Sequence, residues 1–442
     1  MLEQIMVGNQ WKERENWEQA GEGEEVILQG SIYHIRRMGK KWAFILLRMR
    51  RKIIQCVYSP EFSRFSLQEL KEESCIWTKA RVSKQPGTEN GMEYQLLEVK
   101  VLSMPECQSP VALYRRELQT SLEYLLDARP LTLRNARQRA IFKLQEGICR
   151  AVRTFLQERD FTEIHTPKLV FAGAEGGANL FSVKYFNRMA YLAQSPQFYK
   201  QMMVGVYERV YEIGPVFRAE PHDTSRHLNE YTGIDLEMGY ITEPEQLMRL
   251  ETEMLSSIFE FLRQEYTLEI KLLQAEVPYI QSIPVLPFCE AKRLLAKELG
   301  ISGRASEDLQ PQEEKALCKW AEMEYNSPFL FITRYPSAKR PFYTSEDTQH
   351  PGETQSFDLL FRGMEITTGG LRIHNYQEQV RKMKQRGMKV ADFESYLQAH
   401  RHGLPPHGGL GIGLERLTAR LLKLENVRQA ALFPRDMHRL EP

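Results

Sequence analysis

Hydrophobic and polar positions alternate along the first hundred residues and then change period. From Val26 to about Leu102 the short apolar runs VILQGSIYHI, WAFILLRM, KIIQCVYS, CIWTKARVSK and YQLLEVKVLS are rich in β-branched and aromatic residues. The turn signals MGKK and GTENG separate them, so they predict five strands. SLQELKEE predicts a helical stretch, and the set predicts a small OB-type barrel. MPECQSP reads as a linker. From Asn135 the period lengthens: Ile141, Leu144, Ile148, Val152 and Phe155 recur at helical spacing. ETEMLSSIFEFLRQEY and EDLQPQEEKALCKWAEMEY also predict helices, and ITRYPSAKRPFYT strand and loop. Beyond Phe161 strands and helices mix without a regular βαβ repeat, which predicts an α+β fold on a largely antiparallel sheet flanked by helices. The expected domains are a barrel over 1–107, a hinge over 108–134 and a larger domain over 135–442, after a loose polar lead-in of about 24 residues.

Composition narrows the function classes. The chain has 442 residues, enough for a large core, and 59 Lys+Arg against 58 Asp+Glu, which excludes a globally basic nucleic-acid coat but not a local basic face. With 42% hydrophobic and 10% aromatic residues it is not a mostly disordered chain. No apolar run reaches the roughly 18 residues of a membrane span, so no membrane partner is expected. MLEQIMVGNQWKERENW lacks an apolar core, which predicts no secretory signal and a cytoplasmic location. The six scattered cysteines form no CxxC pair and predict free thiols.

Candidate chemistry lies in five places. His34–Lys52 carries eight Lys/Arg and no acid, interleaved with Trp42 and Phe44. On a barrel surface such a stretch supplies phosphate-tracking cations and stacking platforms for splayed bases, although a solvated hairpin has the same composition. FTEIHTPKLV follows the long helix. In VYEIGPVFRAEPHDTSRHLNEYTGIDLEMGY, alternation puts Arg218 and Glu220 on one strand face, and Asp235 and Glu237 on another. An Arg there can clamp a phosphate bidentately, Arg226 and His227 add donors in a loop, and Tyr231 can stack on a base. HGGLGIGLERL puts glycines where backbone approaches a ligand and Arg416 early in a helix. It is neither GxxxxGK[ST] nor GxGxxG. In FDLLFRGMEITTGGLRIH, Asp358 and Glu365 share a side only if a turn or bulge lies near Arg362–Gly363; both could then hold Mg²⁺ against triphosphate oxygens.

These strings, with LDARPLTLRN, AEGGANLF, YLAQSPQFYKQMM and a closing FPRD, resemble class II aminoacyl-tRNA synthetases, in particular aspartyl-tRNA synthetases of the archaeal and eukaryotic type, over nearly the whole chain. The resemblance implies an ATP-dependent ligase. Arg218 would grip the α-phosphate of ATP, and Arg416 would reach the γ-phosphate and stack under adenine. Tyr231, where Phe is usual, takes the other adenine face. Glu220, Arg226, His227, Leu228 and Gly413 would line the nucleotide pocket, while Glu365 would bind Mg²⁺ with Asp358 and Thr368 as helpers. Glu175 and Asp235 would hold the substrate ammonium, and Gln197, Lys200 and Arg372 would recognise the amino acid. Phe44, Gln55 and Glu98 fall where the family reads the anticodon, and Pro167 would sit at a homodimer interface.

The resemblance has departures. The usual EIxSGAQRIH is here EITTGGLRIH, so Thr368, Gly370 and Leu371 replace Ser, Ala and Gln; the usual barrel Trp is Ser31, with Tyr33 two residues on. These barrel positions bear on whether tRNA-Asp alone, or tRNA-Asn as well, is charged with aspartate, the second product then passing to an amidotransferase. Three other readings stay open: an asparaginyl-tRNA synthetase, a synthetase-like aspartyl amidoligase, and an inactive RNA-binding paralogue. Two cations, Lys200 and Arg372, argue against the first, the retained barrel against the second, and the retained Arg218 and Arg416 against the third.

Overall fold

The period-two pattern builds a closed barrel in which β1 (Glu25–Met38), β2 (Trp42–Arg48), β3 (Ile53–Tyr58), β4 (Cys75–Lys84) and β5 (Met92–Ser103) pair in the order β1-β2-β3-β5-β4. Successive strand residues leave on opposite faces, so Leu28, Ile32, Ile45, Leu47, Cys56, Ile76 and Leu96 fill the interior. The helical stretch expected at SLQELKEE is only a 3-10 turn, Leu67–Glu69. Ser66 accepts from the Gln68 amide and Glu69 from the Ser66 amide, which satisfies the free donors within one turn, and Leu70 then leaves extended into the barrel core. This computed structural model describes residues 17–39, 41–85, 91–171, 173, 179–297, 300–301 and 308–441. They fall into two units, Met1–Thr120 and Ser121–Pro442.

The stretch expected as a hinge is shared between the units. At its far end Ser121 caps a short helix, Leu122–Asp127, by accepting from the Tyr124 amide. Arg129 is fully buried and donates to the carbonyls of Gln429, Ala431 and Leu432 at 3.0, 2.8 and 3.0 Å, fastening this segment within the second unit.

The second unit carries an eight-stranded sheet. Its strands are β6 (Thr162–Glu163), β10 (Arg209–Phe217), β11 (Glu230–Gly239), β12 (Val285–Pro287), β13 (Phe329–Thr333), β14 (Ser356–Phe361), β15 (Met364–Leu371) and β16 (His407–Gly413). They run in the order β12-β13-β14-β15-β16-β11-β10-β6, antiparallel except for the two outermost pairs. A small sheet, β7 (Leu169–Val170), β8 (Ser182–Tyr185) and β9 (Arg188–Leu192), stands apart. The long helix α1 (Ala136–Gln157) starts at Asn135, whose side chain accepts from the amides of Arg137 and Gln138. Its apolar stripe packs with α3 (Pro244–Glu265) against the sheet: Leu144, Ile148, Val152 and Phe155 share one core with Leu255, Ile258, Phe357, Leu410 and Ile412. Gly147 permits this closeness, since a Cβ there would lie 2.7 Å from Leu262 and Tyr266. Two shorter helices, α2 (Gln197–Tyr207) and α4 (Pro311–Tyr325), border the opposite face, whereas α5 (Leu414–Leu421) packs Leu414, Leu417 and Leu421 into the core shared with α1.

Candidate active site

The sheet face away from α1 and α3 holds a cleft of about 1100 Å³. Strand alternation sets its floor. On β11, Ile234 and Leu236 point into the core, so Tyr231, Gly233, Asp235 and Glu237 point the other way. On β16, Leu410 and Ile412 point into the core, and Gly409, Gly411 and Gly413 face Glu237, Asp235 and Gly233 in register. A Cβ on Gly409 would lie 2.0 Å from Glu237 Oε2, and one on Gly411 3.1 Å from Asp235 Oδ1. The glycines that the sequence assigned to ligand approach therefore clear room for carboxylates on the neighbouring strand.

Those carboxylates hold the two cations. Lys200, on α2 and 2% exposed, donates to Asp235 Oδ1 and the Leu410 carbonyl at 2.9 Å each, and lies 3.4 Å from Glu237 Oε2. Arg372, just past β15, donates through Nε to Glu237 Oε1 at 2.8 Å and through Nη2 to the Gly409 carbonyl at 2.9 Å. Burial pushes the Glu237 carboxyl up, but Arg372 and Lys200 outweigh it and hold it below the usual range. Two buried cations thus face two buried carboxylates. Beside them the Gln197 amide nitrogen is buried without a partner among the described residues. Glu237 was placed on this face by the sequence but given no role there; its place between both cations is visible only in space.

At the other end of the cleft, β10 stops at Phe217, so Arg218 and Glu220 follow the strand in a loop and do not share its face. The loop is held instead by Asn229 Nδ2, which donates to the carbonyls of Arg218 and Glu220 at 2.7 and 3.1 Å. Arg218 lies 5.9 Å from the Tyr231 ring centre and 3.7 Å from Glu220 Oε1. His227 shares a 2.6 Å hydrogen bond with Thr224, and burial, with Arg416 nearby, pushes its pKa down. Leu228 lines the cleft and anchors in a small apolar cluster with Ala419 and Val427. Arg416, in the first turn of α5 after the Gly413 cap, donates to the Glu365 carbonyl at 3.1 Å and lies 3.6 Å from its Oε1.

Glu365 and Thr368 meet because β15 is irregular. Residues three apart on a regular strand lie on opposite faces, but the pairing with β14 slips between Leu359 and Leu360. Thr368 Oγ1 then donates to Glu365 Oε1 at 3.1 Å, and both border the cleft. The β14–β15 turn at Arg362–Gly363 is present, with φ of 44° and 83°. Asp358 stands opposite Thr368 and close enough to feel the Glu365 charge, but it is fully buried and does not line the cleft; its Oδ2 accepts from Arg340 Nη2 at 2.7 Å. Burial pushes its pKa up to about 6 against the pull of Arg340. Arg340, which the sequence left between a site role and a solvated loop, is buried and borders the cleft. No cluster of three or more His, Cys, Asp or Glu suited to a metal occurs among the described residues. A Glu–Thr oxygen pair beside three arginines fits Mg²⁺, which takes one or two carboxylates and completes its shell with phosphate oxygens and water.

The cleft therefore gathers every site residue expected in this unit except Asp358, which is buried beside Arg340 and does not line it, and Glu175, which lies outside the described residues. Leu371 packs in the core against the β16 side, so that departure is a packing change away from the cleft. In the barrel unit Phe44 is half-buried on β2 opposite Val57; Gln55 is exposed and donates to Glu93 at 3.2 Å, and Glu98 pairs with Arg64 at 3.0 Å. Tyr33 is buried at a bulge in β1, its hydroxyl donating to the Leu113 carbonyl at 2.5 Å. All six cysteines are free, and no helix of the described residues is long and apolar enough to cross a membrane.

The family model described as tRNA synthetases class II (D, K and N) matches residues 121–437. A protein of Thermus thermophilus named aspartate–tRNA(Asp/Asn) ligase is 47% identical over 95% of this chain and 97% of its own. One of Thermococcus kodakarensis named aspartate–tRNA(Asp) ligase is 37% identical, with the same coverage of each chain. The crystal structure of asparaginyl-tRNA synthetase from Pyrococcus horikoshii complexed with asparaginyl-adenylate is similar with a TM-score of 0.88 and 31% identity, over 95% of this chain and 97% of that one. With barrel, antiparallel sheet and arginine-lined cleft in agreement with these matches, the chain belongs to the class II tRNA synthetases.

Proposed function

We propose that this enzyme activates L-aspartate with ATP and transfers it from aspartyl-adenylate to the 3′ end of tRNA-Asp, and of tRNA-Asn as well. The observation that carries the choice of amino acid is the buried pair Lys200 and Arg372 beside the Gln197 amide, whose nitrogen has no partner among the described residues. The substrate ammonium goes to Asp235 and its side-chain carboxylate to the two cations. An asparagine amide would leave those cations poorly paired, at a cost of about 3 kcal/mol on the scale of a broken buried ion pair. The T. thermophilus relative, named for both tRNAs, is more similar than the T. kodakarensis one named for tRNA-Asp alone, which supports the relaxed range. An amidotransferase acting on aspartyl-tRNA-Asn is the partner that range requires.

No side-chain nucleophile is needed. The substrate α-carboxylate oxygen attacks the α-phosphorus, pyrophosphate leaves, and the terminal ribose hydroxyl of tRNA then attacks the mixed anhydride, releasing AMP. Arg218, Arg226 and Arg416 neutralise phosphate charge and hold the reactants in line. Tyr231 and Arg416 sandwich adenine, and Glu220 and His227 line the nucleotide and acceptor-end pocket. Glu365 and Thr368 would hold Mg²⁺, which supplies further charge neutralisation on the phosphates. On the barrel, Phe44 stacks on the central anticodon base, with Gln55 and Glu98 reading its neighbours. A homodimer through the Pro167 region is part of the proposal: Pro167 is exposed, and Leu169, Phe171, Phe186 and Met189 nearby leave 47, 67, 80 and 49% of their surface open.

Charging purified tRNA-Asp and tRNA-Asn with labelled aspartate, with labelled asparagine as control, tests this. Aspartate on both is expected. Aspartate on tRNA-Asp alone would refute the relaxed range, and asparagine on tRNA-Asn would refute the amino-acid assignment. Adenylate formation with no tRNA charged would sink the ligase reading.

A further inference from the structure

Glu314 joins, through its side chain, the loop carrying Arg226 to the strand carrying Glu365. It stands on α4, 88 positions from Arg226 and 51 from Glu365, and its side chain is 6% exposed. A single oxygen, Oε2, accepts from Arg226 Nη2 and also from the Glu365 backbone N–H at 2.9 Å. On the other side of the same guanidinium, Arg226 Nη1 is buried, without a protein partner among the described residues, on a side chain that borders the cleft. The loop has independent anchors: Arg428 pairs with Asp223, and the Val427 amide donates to the Ser225 carbonyl at 2.9 Å. Losing Glu314 would free the guanidinium without releasing the loop.

We infer that Glu314 is a positioning residue for the nucleotide: one carboxylate oxygen aims Arg226 Nη1 at a phosphate oxygen of ATP and sets the start of β15, from which Glu365 faces the same polyphosphate. This rests on the reading of the cleft as an ATP site. Before ligand arrives Arg226 meets the Glu314 carboxyl on one nitrogen only and keeps the other for phosphate. It also links the two halves of the polyphosphate site, because the atom that orients the cation fixes the backbone of the expected metal ligand.

Equilibrium binding of ATP to the full chain, by calorimetry in Mg²⁺ and in EDTA, tests it on wild type, Glu314→Gln, Glu314→Ala and Glu313→Gln. Glu313, its neighbour, binds Lys292 at 2.8 Å and the start of α4 but not the cleft, so it reports helix damage alone. Glu314→Ala is expected to weaken ATP about tenfold in Mg²⁺, the loss of one charge-assisted bond, and to shrink the ratio between the Mg²⁺ and EDTA affinities. Glu314→Gln keeps an acceptor for the Glu365 amide and should fall between. Glu313→Gln should lower the melting temperature and leave ATP affinity unchanged. Folded Glu314→Gln binding ATP within twofold of wild type with an unchanged Mg²⁺/EDTA ratio overturns the inference, as does an equal loss in Glu313→Gln. Glu314→Gln decides if Glu314→Ala does not fold. The assay needs neither amino acid nor tRNA, so wild type that binds ATP yet performs no aspartate-dependent pyrophosphate exchange sinks the ligase reading and leaves this inference standing.

Discussion

Replacing Lys200 by Met separates the stability and the specificity of the amino-acid pocket. The side chain is 2% exposed, and its ammonium touches Asp235, the Leu410 carbonyl and, at 3.4 Å, Glu237. Met fills most of the volume but offers no charge, so Asp235 loses its partner, whereas Glu237 keeps Arg372 at 2.8 Å. Removing one member of a buried pair costs about 3–5 kcal/mol. Glu237 retains its other cation, so the low end, about 3 kcal/mol, is expected. At about 2 °C per kcal/mol for a unit of this size, the melting temperature should fall by about 6 °C. The second effect is on recognition. Aspartate-dependent pyrophosphate exchange should lose about 100-fold in kcat/KM, one charge-assisted contact of ~3 kcal/mol. Asparagine should lose less, because its amide does not need the ammonium, so the aspartate/asparagine ratio should fall at least tenfold. A variant that is destabilised but keeps the wild-type ratio would refute the assignment of Lys200 to the substrate carboxylate and leave it a purely structural ion.

Three further outcomes follow from the same geometry. Gly409→Ala puts a Cβ 2.0 Å from Glu237 Oε2 and 2.2 Å from the Leu236 carbonyl, so β16 must shift; aspartate KM should rise more than tenfold with little change for ATP, read by pyrophosphate exchange. Glu251 is buried under β15, accepts from Thr367 at 2.5 Å, and burial pushes its pKa up to about 8. A raised carboxyl pKa stabilises the fold fully below the unfolded value of 4.5 and loses that contribution as pH rises toward 8. Glu251→Gln should therefore flatten the fall in melting temperature between pH 5 and 8, a difference of about 3 kcal/mol at pH 7, and an unchanged pH profile would refute the assignment. Phe44→Ala should leave pyrophosphate exchange untouched and cut kcat/KM for tRNA charging about tenfold or more, since base stacking on an aromatic is worth ~1–3 kcal/mol; equal loss in both assays would place Phe44 in barrel folding instead.

Periodicity and local chemistry determined much of this protein. Period-two runs specify the barrel strands, and the stripe from Ile141 to Phe155 specifies the long helix, because burying an apolar face is a local instruction repeated along the element. The run of class II strings named most of the cleft, including Arg218, Asp235, Glu365 and Arg416. Tertiary structure decided what each charge is tied to. Asp358 reads like Glu365 in sequence, yet it is buried against Arg340 and does not line the cleft, whereas one slipped register brings Glu365 and Thr368 together at the cleft edge. Glu237 reads like any acid on a strand, yet lies between Lys200 and Arg372. Glu314 sits in a stretch that the sequence predicts only as a helix, with no role for this acid, yet it is buried between two segments distant in the chain. The glycines of β16 announce a close approach, but only the cross-strand register reveals that carboxylates make it. The physical reason is the same in each case: apolar burial is encoded by spacing along one element, whereas the partner of a buried charge comes from another part of the chain and exists only once the sheet has closed.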